Sequence, residues 1–258
     1  MQCLEKYRSK LVSDANRQLR VIAGSADESA VHDFRVGIKR LTALYGFLGQ
    51  ADENLSVKKL LKPYRAMFKQ LGRIRDAHIA IGLIEDLGPA PNPLSKHLVG
   101  LLRSGIRRDY RGFRNLVGNK RSLSIKLPTI RGTGIPPTAI SRHKSAYLES
   151  LLSKILSPGK RVTAEEWHRK RILLKRYRYT LEAFSLCPGQ NLDQRLLRQI
   201  SMLEQLLGDW HDRIVTVELL ESLPDSATDP APLIQKMKSQ DRILLGAAKI
   251  YLARFARS

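Results

Sequence analysis

The chain has 258 residues, 43% of them hydrophobic, enough to bury a core as one large domain or two small ones. Its 45 Lys and Arg against 24 Asp and Glu leave a formal net charge of +21 and a pI near 10.3. That excess argues against an enzyme for neutral small molecules and for nucleic acid, polyphosphate or an anionic membrane as partner. Two cysteines, Cys3 and Cys187, do not make a disulfide framework and are too few for a zinc knuckle. The opening MQCLEKYRSK lacks the apolar run of a signal peptide. No stretch approaches the ~18 consecutive apolar residues of a spanning helix, so the expected compartment is the cytoplasm.

Taken in order, residues 2–22 carry a weak helical pattern, closed by Gly24-Ser25. Residues 31–50 place Phe34, Ile38, Leu41, Leu44, Tyr45 and Leu48 at helical spacing. The pattern resumes over 56–87, with Pro63 tolerable near a helix start. Gly88, Pro89, Pro91 and Pro93 mark a break, and 94–117 gives a third strong helix. Residues 119–138, holding Pro128, Gly132, Gly134, Pro136 and Pro137, read as a linker by composition. Helices follow over about 139–157, 164–186, 192–223 and 231–256, with a break at Pro188-Gly189. No alternating run predicts a strand. The fold class expected is all-α, as repeats 1–118 and 139–258 of four helices each, joined by short turns as in an antiparallel bundle.

The two halves are copies. His32, Arg35, Lys39 and Arg40 recur as His168, Arg171, Lys175 and Arg176, an offset of 136 residues (168 − 32). Leu71, Gly72, Asp76, Leu83, Glu85 and Leu87 recur at the same offset as Leu207, Gly208, Asp212, Leu219, Glu221 and Leu223. Two separate segments at one offset are hard to obtain by chance.

On a helical projection, His32, Arg35 and Lys39 fall within a sector of about 60°, with Arg40 about 80° from the histidine. The apolar residues of that helix lie opposite. The second copy repeats the arrangement, with Arg178 beside Arg171 and Lys175, and Tyr179 on the same basic face. Gly37 falls on the core side, where a Gly costs about 1 kcal/mol relative to Ala, so close helix packing is its expected reason. A further stripe, Arg103, Arg107, Arg111 and Arg114, runs along the fourth helix; from Lys96 to Arg121 eight basic residues meet one acid, Asp109. Its counterpart in the second copy, Lys238, Arg242 and Lys249, is thinner. Phosphate oxygens need several N–H donors in fixed places; Arg supplies a planar fork and Lys a point charge. Histidine adds a directional donor whose charge changes near neutral pH.

These residues resemble the CHAD family, the conserved-histidine α-helical domains. The motif-bearing segments are VHDFRVGIKRL with LGRIRDAHI, and WHRKRILLKRY with LGDWHDRIV. The resemblance spans essentially the whole chain. It implies two four-helix bundles related by pseudo-two-fold symmetry, whose basic faces converge on a central cleft. It also implies non-enzymatic binding of inorganic polyphosphate, association with polyphosphate granules, and no cofactor. The polyphosphate-binding residues it implies are His32, Arg35, Lys39 and Arg40 in one half and His168, Arg171, Lys175 and Arg176 in the other. Arg178, Arg103, Arg107, Arg242 and Lys249 are added as basic neighbours, and Asp76 and Asp212 are expected to orient Arg or His side chains. The pattern departs where Arg75-Asp76 becomes His211-Asp212. The Glu-x-Glu-x-Lys element of the triphosphate tunnel domains often fused to this family is not found, so a stand-alone module is expected.

Single-stranded nucleic acid is the alternative ligand, from the same charge argument. Against it, Tyr179 is the one aromatic that clearly projects onto a basic face, whereas single-strand binders stack bases on aromatics. A metal enzyme built on His32 and His168 lacks carboxylates at ligand spacing beside them, and the surrounding cations would repel a metal ion.

Overall fold

A computed structural model describes residues 1–52, 54–87, 93–118, 124–157, 163–189, 193–223 and 229–255. Nine α-helices run through these residues: α1 Gln2–Gly24, α2 Glu28–Ala51, α3 Val57–Leu61, α4 Arg65–Leu87, α5 Pro93–Val117, α6 Pro137–Leu156, α7 Ala164–Ser185, α8 Gln194–Glu221 and α9 Ala231–Phe255. The all-α expectation holds, and the described residues include no strand. Gly88, Pro89 and Pro91, read as breakers, lie outside the described residues. The two basic helices start on side-chain caps. Asp27 accepts from the Ala30 N–H at 2.7 Å ahead of α2. Thr163 and Glu166 form a reciprocal capping box ahead of α7. Pro63 does more than sequence suggested: it splits the expected 56–87 helix, with a 3₁₀ turn over Lys62–Tyr64 between α3 and α4. Proline supplies no N–H and crowds the preceding turn.

The duplication extends into the core. Val31, Ile38, Leu41 and Leu48 are buried in α2; Trp167, Leu174, Tyr177 and Phe184 are buried at the matching positions of α7. Met67, Leu71, Ile74 and Ile84 of α4 match buried Leu203, Leu207, Trp210 and Leu220 of α8. The last helices keep step only at an offset of 135 (233 − 98): Leu98, Leu102 and Phe113 match Leu233, Met237 and Ala248. One match is chemically unlike. Where α2 has fully buried Phe34, α7 has buried Lys170, whose Nζ donates to the carbonyls of Ile155 and, at 2.8 Å, Ser157. A lysine there satisfies the open end of α6.

Apolar packing also crosses between the copies. One cluster joins α1 and α2 to Ile140 of α6 and to Ala183 and Phe184 of α7. A second lies within α6–α9. A third unites Ala80 and Ile84 of α4 and Leu98 of α5 with Val217 and Leu220 of α8 and Met237 of α9.

The segment read as a linker is packed where it is described. Ile125, Ile130 and Ile135 are buried in the first cluster, and Tyr45 donates its hydroxyl to the Pro128 carbonyl. Asn16 exchanges two hydrogen bonds with the Ile125 backbone, at 2.6 and 3.2 Å. Glu5 accepts the Ile130 N–H at 2.6 Å. Proline and glycine shape this segment without detaching it. The cysteines are corrected as well: Cys3 and Cys187, 184 residues apart, form a disulfide. It ties the first turn of α1 to the end of α7. No helix among the described residues is long and apolar enough to cross a membrane.

Candidate functional site

Helices α2, α4, α7 and α8 enclose a cavity of about 160 Å³ between the copies. Its wall carries His32, Arg35 and Lys39 from α2, Arg75 and Asp76 from α4, Arg171, Lys175 and Tyr179 from α7, and His211 and Asp212 from α8. Five cations thus meet two carboxylates. The two basic faces, each opposite its own helix's apolar side, are brought together here.

The two arginines at the centre are held differently. Arg35 is drawn against α4: its Nη1 donates to the Phe68 carbonyl at 2.8 Å, and its guanidinium lies 4.5 Å over the Phe68 ring. That approach needs Gly72, since a Cβ there would sit 2.9 Å from Arg35 Nη1. At the matching Gly208 a Cβ would meet open space. Arg171 faces Asp212 at 3.8 Å, with 11% of its side chain exposed. Its Nε is buried and has no hydrogen-bond partner among the described residues. A buried unmatched guanidinium N–H is costly until an acceptor reaches it.

Electrostatics tell the same story. Burial, then the nearby charges of Lys175 and Arg35, bring the Lys39 pKa down to about 8. Burial followed by Arg171 lowers that of Lys175, and burial lowers both Arg35 and Arg171. Burial also raises Asp76 and Asp212 against the pull of their cations. Desolvated like charges therefore crowd the cleft, and an entering anion would relieve them. The histidines behave otherwise than expected. Burial, then Arg171, pushes His211 down to about 3, and burial lowers His32 and His168 as well. At neutral pH they are uncharged hydrogen-bonding groups, not switchable cations. His168 does not line the cleft; its ring lies tilted beside that of His211, with centroids 4.8 Å apart.

Other expected residues sit elsewhere. Arg40 points to the neighbouring carboxylate of Glu182 at 3.1 Å and over the Tyr179 ring at 5.6 Å. Arg178 is gripped by Glu204 at 2.5 and 3.0 Å and by Glu182 at 2.5 Å. Glu204 also lies 3.9 Å from Lys175. Arg176 is exposed and lies beside Tyr147. Arg242 and Lys249 are exposed on α9, and Arg103 and Arg107 line a separate groove with Glu28 and His78. None of these seven lines the cleft. Arg75 and His211, in contrast, enter it although sequence reasoning counted neither as a ligand. The signal was present: they occupy one position of the duplicated Leu-Gly segment, directly before Asp76 and Asp212. Among the described residues, no three His, Cys, Asp or Glu groups could hold a metal ion.

The chain matches the CHAD domain family over residues 4–221. Among solved structures it is similar to the CHAD domain from the plant Ricinus communis, at 18% identity and a TM-score of 0.74, covering 98% of this chain and 91% of that one. It is also similar to PptA from Streptomyces chartreusis, at 15% identity and a TM-score of 0.66, covering 100% of this chain and 99% of that one. No curated protein matches it. At these identities the structural likenesses bear on the fold.

Proposed function

We propose, since the chain belongs to the CHAD domain family, that its central cleft is a receptor for inorganic polyphosphate and acts by binding rather than by catalysis. The observation that carries this reading is the buried Arg171 Nε without an acceptor, set among Lys39, Lys175 and Arg35. A multiply charged phosphate chain supplies acceptors to donors on both copies at once, and releases counterions as it does so. The cleft carboxylates favour a structural role: Asp212 faces Arg171, and Arg35 is the foremost cation acting on Asp76. Nucleic acid is the weaker candidate, because Tyr179, the one Phe, Tyr or Trp in the cleft wall, is 4% exposed and offers bases no open ring.

Polyphosphate granules are then a natural site of association. The cytoplasmic assignment loses one support, since structural disulfides are rare in a reducing cytoplasm.

The test is titration of long-chain polyphosphate against a Lys39→Gln/Arg171→Gln/Lys175→Gln variant over a range of salt. Affinity is expected to fall at least ~100-fold, with the log–log salt slope shallower by about 2 and helicity by circular dichroism retained. Unchanged affinity overturns the cleft as the site. Single-stranded RNA that competes equally at matched phosphate concentration overturns polyphosphate as the ligand.

A further inference from the structure

The groove holding Arg103 and Arg107 is a distinct feature, a depression of about 330 Å³ lined by Glu28, His78, Ile81, Arg103, Ile106 and Arg107. We infer that it is a second anion subsite, taking the stretch of a linear polyphosphate that leaves the central cleft; this rests on the reading of the cleft given above.

Three observations carry it. First, the groove's cations are available. Arg107 donates to the Ser104 hydroxyl at 2.7 Å and has no ion pair among the described residues. Among the described residues, Arg103 has only a loose, exposed ion pair, with Glu85 at 3.8 Å. The one acid of this helix, Asp109, is turned to α4, where Gln70 and Arg73 occupy it at 2.9 Å each. Second, His78 brings a buried Nδ1 with no partner among the described residues. Burial holds its pKa down, so the ring enters as a neutral hydrogen-bonding group. Third, groove and cleft share a wall. Glu28 lines the groove, Arg75 lines the cleft, and the two are paired at 2.7 Å. A phosphate crossing there meets Arg75 in competition with Glu28. Farther along α5, Arg111 and Arg114 line another open depression, so the cations from Arg103 to Arg114 follow the helix for about 16 Å.

The second copy does not repeat this path. Ala164 and His211 stand where Glu28 and Arg75 form the shared wall. Lys238, the match of Arg103, is tied to Glu221 at 2.9 Å, and Gly246 replaces Arg111. The chain therefore leaves the cleft toward the first copy.

An Arg103→Gln/Arg107→Gln variant tests this, titrated with tripolyphosphate and with long-chain polyphosphate beside wild type and the cleft variant. Tripolyphosphate affinity is expected to stay within about twofold. Long-chain affinity should fall roughly tenfold, with a salt slope shallower by about 1.4, as for two lost contacts to a single strand. Long chains binding as to wild type overturn the subsite and leave the cleft reading intact. An equal loss for both lengths places these arginines in the primary site and overturns a separate subsite. If the cleft variant keeps both affinities, the underlying reading fails instead.

Discussion

Arg35 and Arg171 occupy the same position in two copies of one helix, yet do different work. In the first copy the guanidinium leans onto the Phe68 carbonyl and ring across a Gly72 that leaves room for it. In the second, Glu204 stands where Phe68 does and takes hold of Arg178, while Arg171 stays in the cleft with an unanswered Nε. Duplication preserved the cation and divided its role: one copy braces α4 against α2, the other presents charge. Identity of sequence motif is therefore weaker evidence of equivalence than the neighbour each side chain meets.

The largest expected effect separates the two arginines directly. Arg171→Ala should weaken polyphosphate binding by roughly 10- to 100-fold, the worth of a charge-assisted contact. Its thermal midpoint should hardly move, because losing the Asp212 contact is offset by relief of repulsion with Lys39 and Lys175. Arg35→Ala should instead lose about 1–3 kcal/mol of stability with the smaller loss of affinity. Calorimetric titration beside thermal denaturation reads both, and equal losses in the two variants would erase the division of roles. A smaller effect sharpens it. Gly208→Ala should gain about 1 kcal/mol from helix propensity alone. Gly72→Ala must displace Arg35 and should end at least about 1 kcal/mol below Gly208→Ala in chemical denaturation.

A pH-dependent effect concerns Lys39, one of the first copy's charges in the shared cleft. Its pKa is about 8 in the folded protein against an ordinary 10.5. Below about pH 8 both states carry the proton, and the cost of the buried charge is fully present. Between the two values the unfolded chain binds more protons, so this group's contribution makes stability rise with pH. Polyphosphate affinity should fall several-fold over the same window as the charge is lost. Comparing denaturation and titration of wild type with Lys39→Arg at about pH 7 and pH 9.5 isolates the lysine; identical pH trends in both proteins would remove it as the cause.

Much of this was legible in the sequence. The helical projection placed His32, Arg35 and Lys39 on one face, and the structure puts that face in the cleft. The same projection counted Arg40 and Arg178 among the free cations, but the residues that neutralise them, Glu182 and Glu204, lie on α7 and α8. Projection of one helix sees neither a partner helix nor how far an arginine reaches along its own. Arg75 and His211 were missed for a related reason: they belong to α4 and α8, whose motif was valued for its aspartates. Composition misjudged residues 124–136, because proline and glycine report backbone shape, whereas Ile125, Ile130 and Ile135 report burial. Two cysteines make no framework, and a separation of 184 residues gave no sign that they pair.

That disulfide has a topological consequence. It closes residues 3–187 into a covalent ring in which α2, α4 and α7 are all strung, while α8 and α9 lie outside that ring and are held to it by packing. Three of the four helices walling the cleft are thus laced together, and the fourth is fastened by packing and by a single strand of backbone. The α8–α9 arm carries His211 and Asp212, whereas all five cations of the cleft lie on the covalently closed part of the chain.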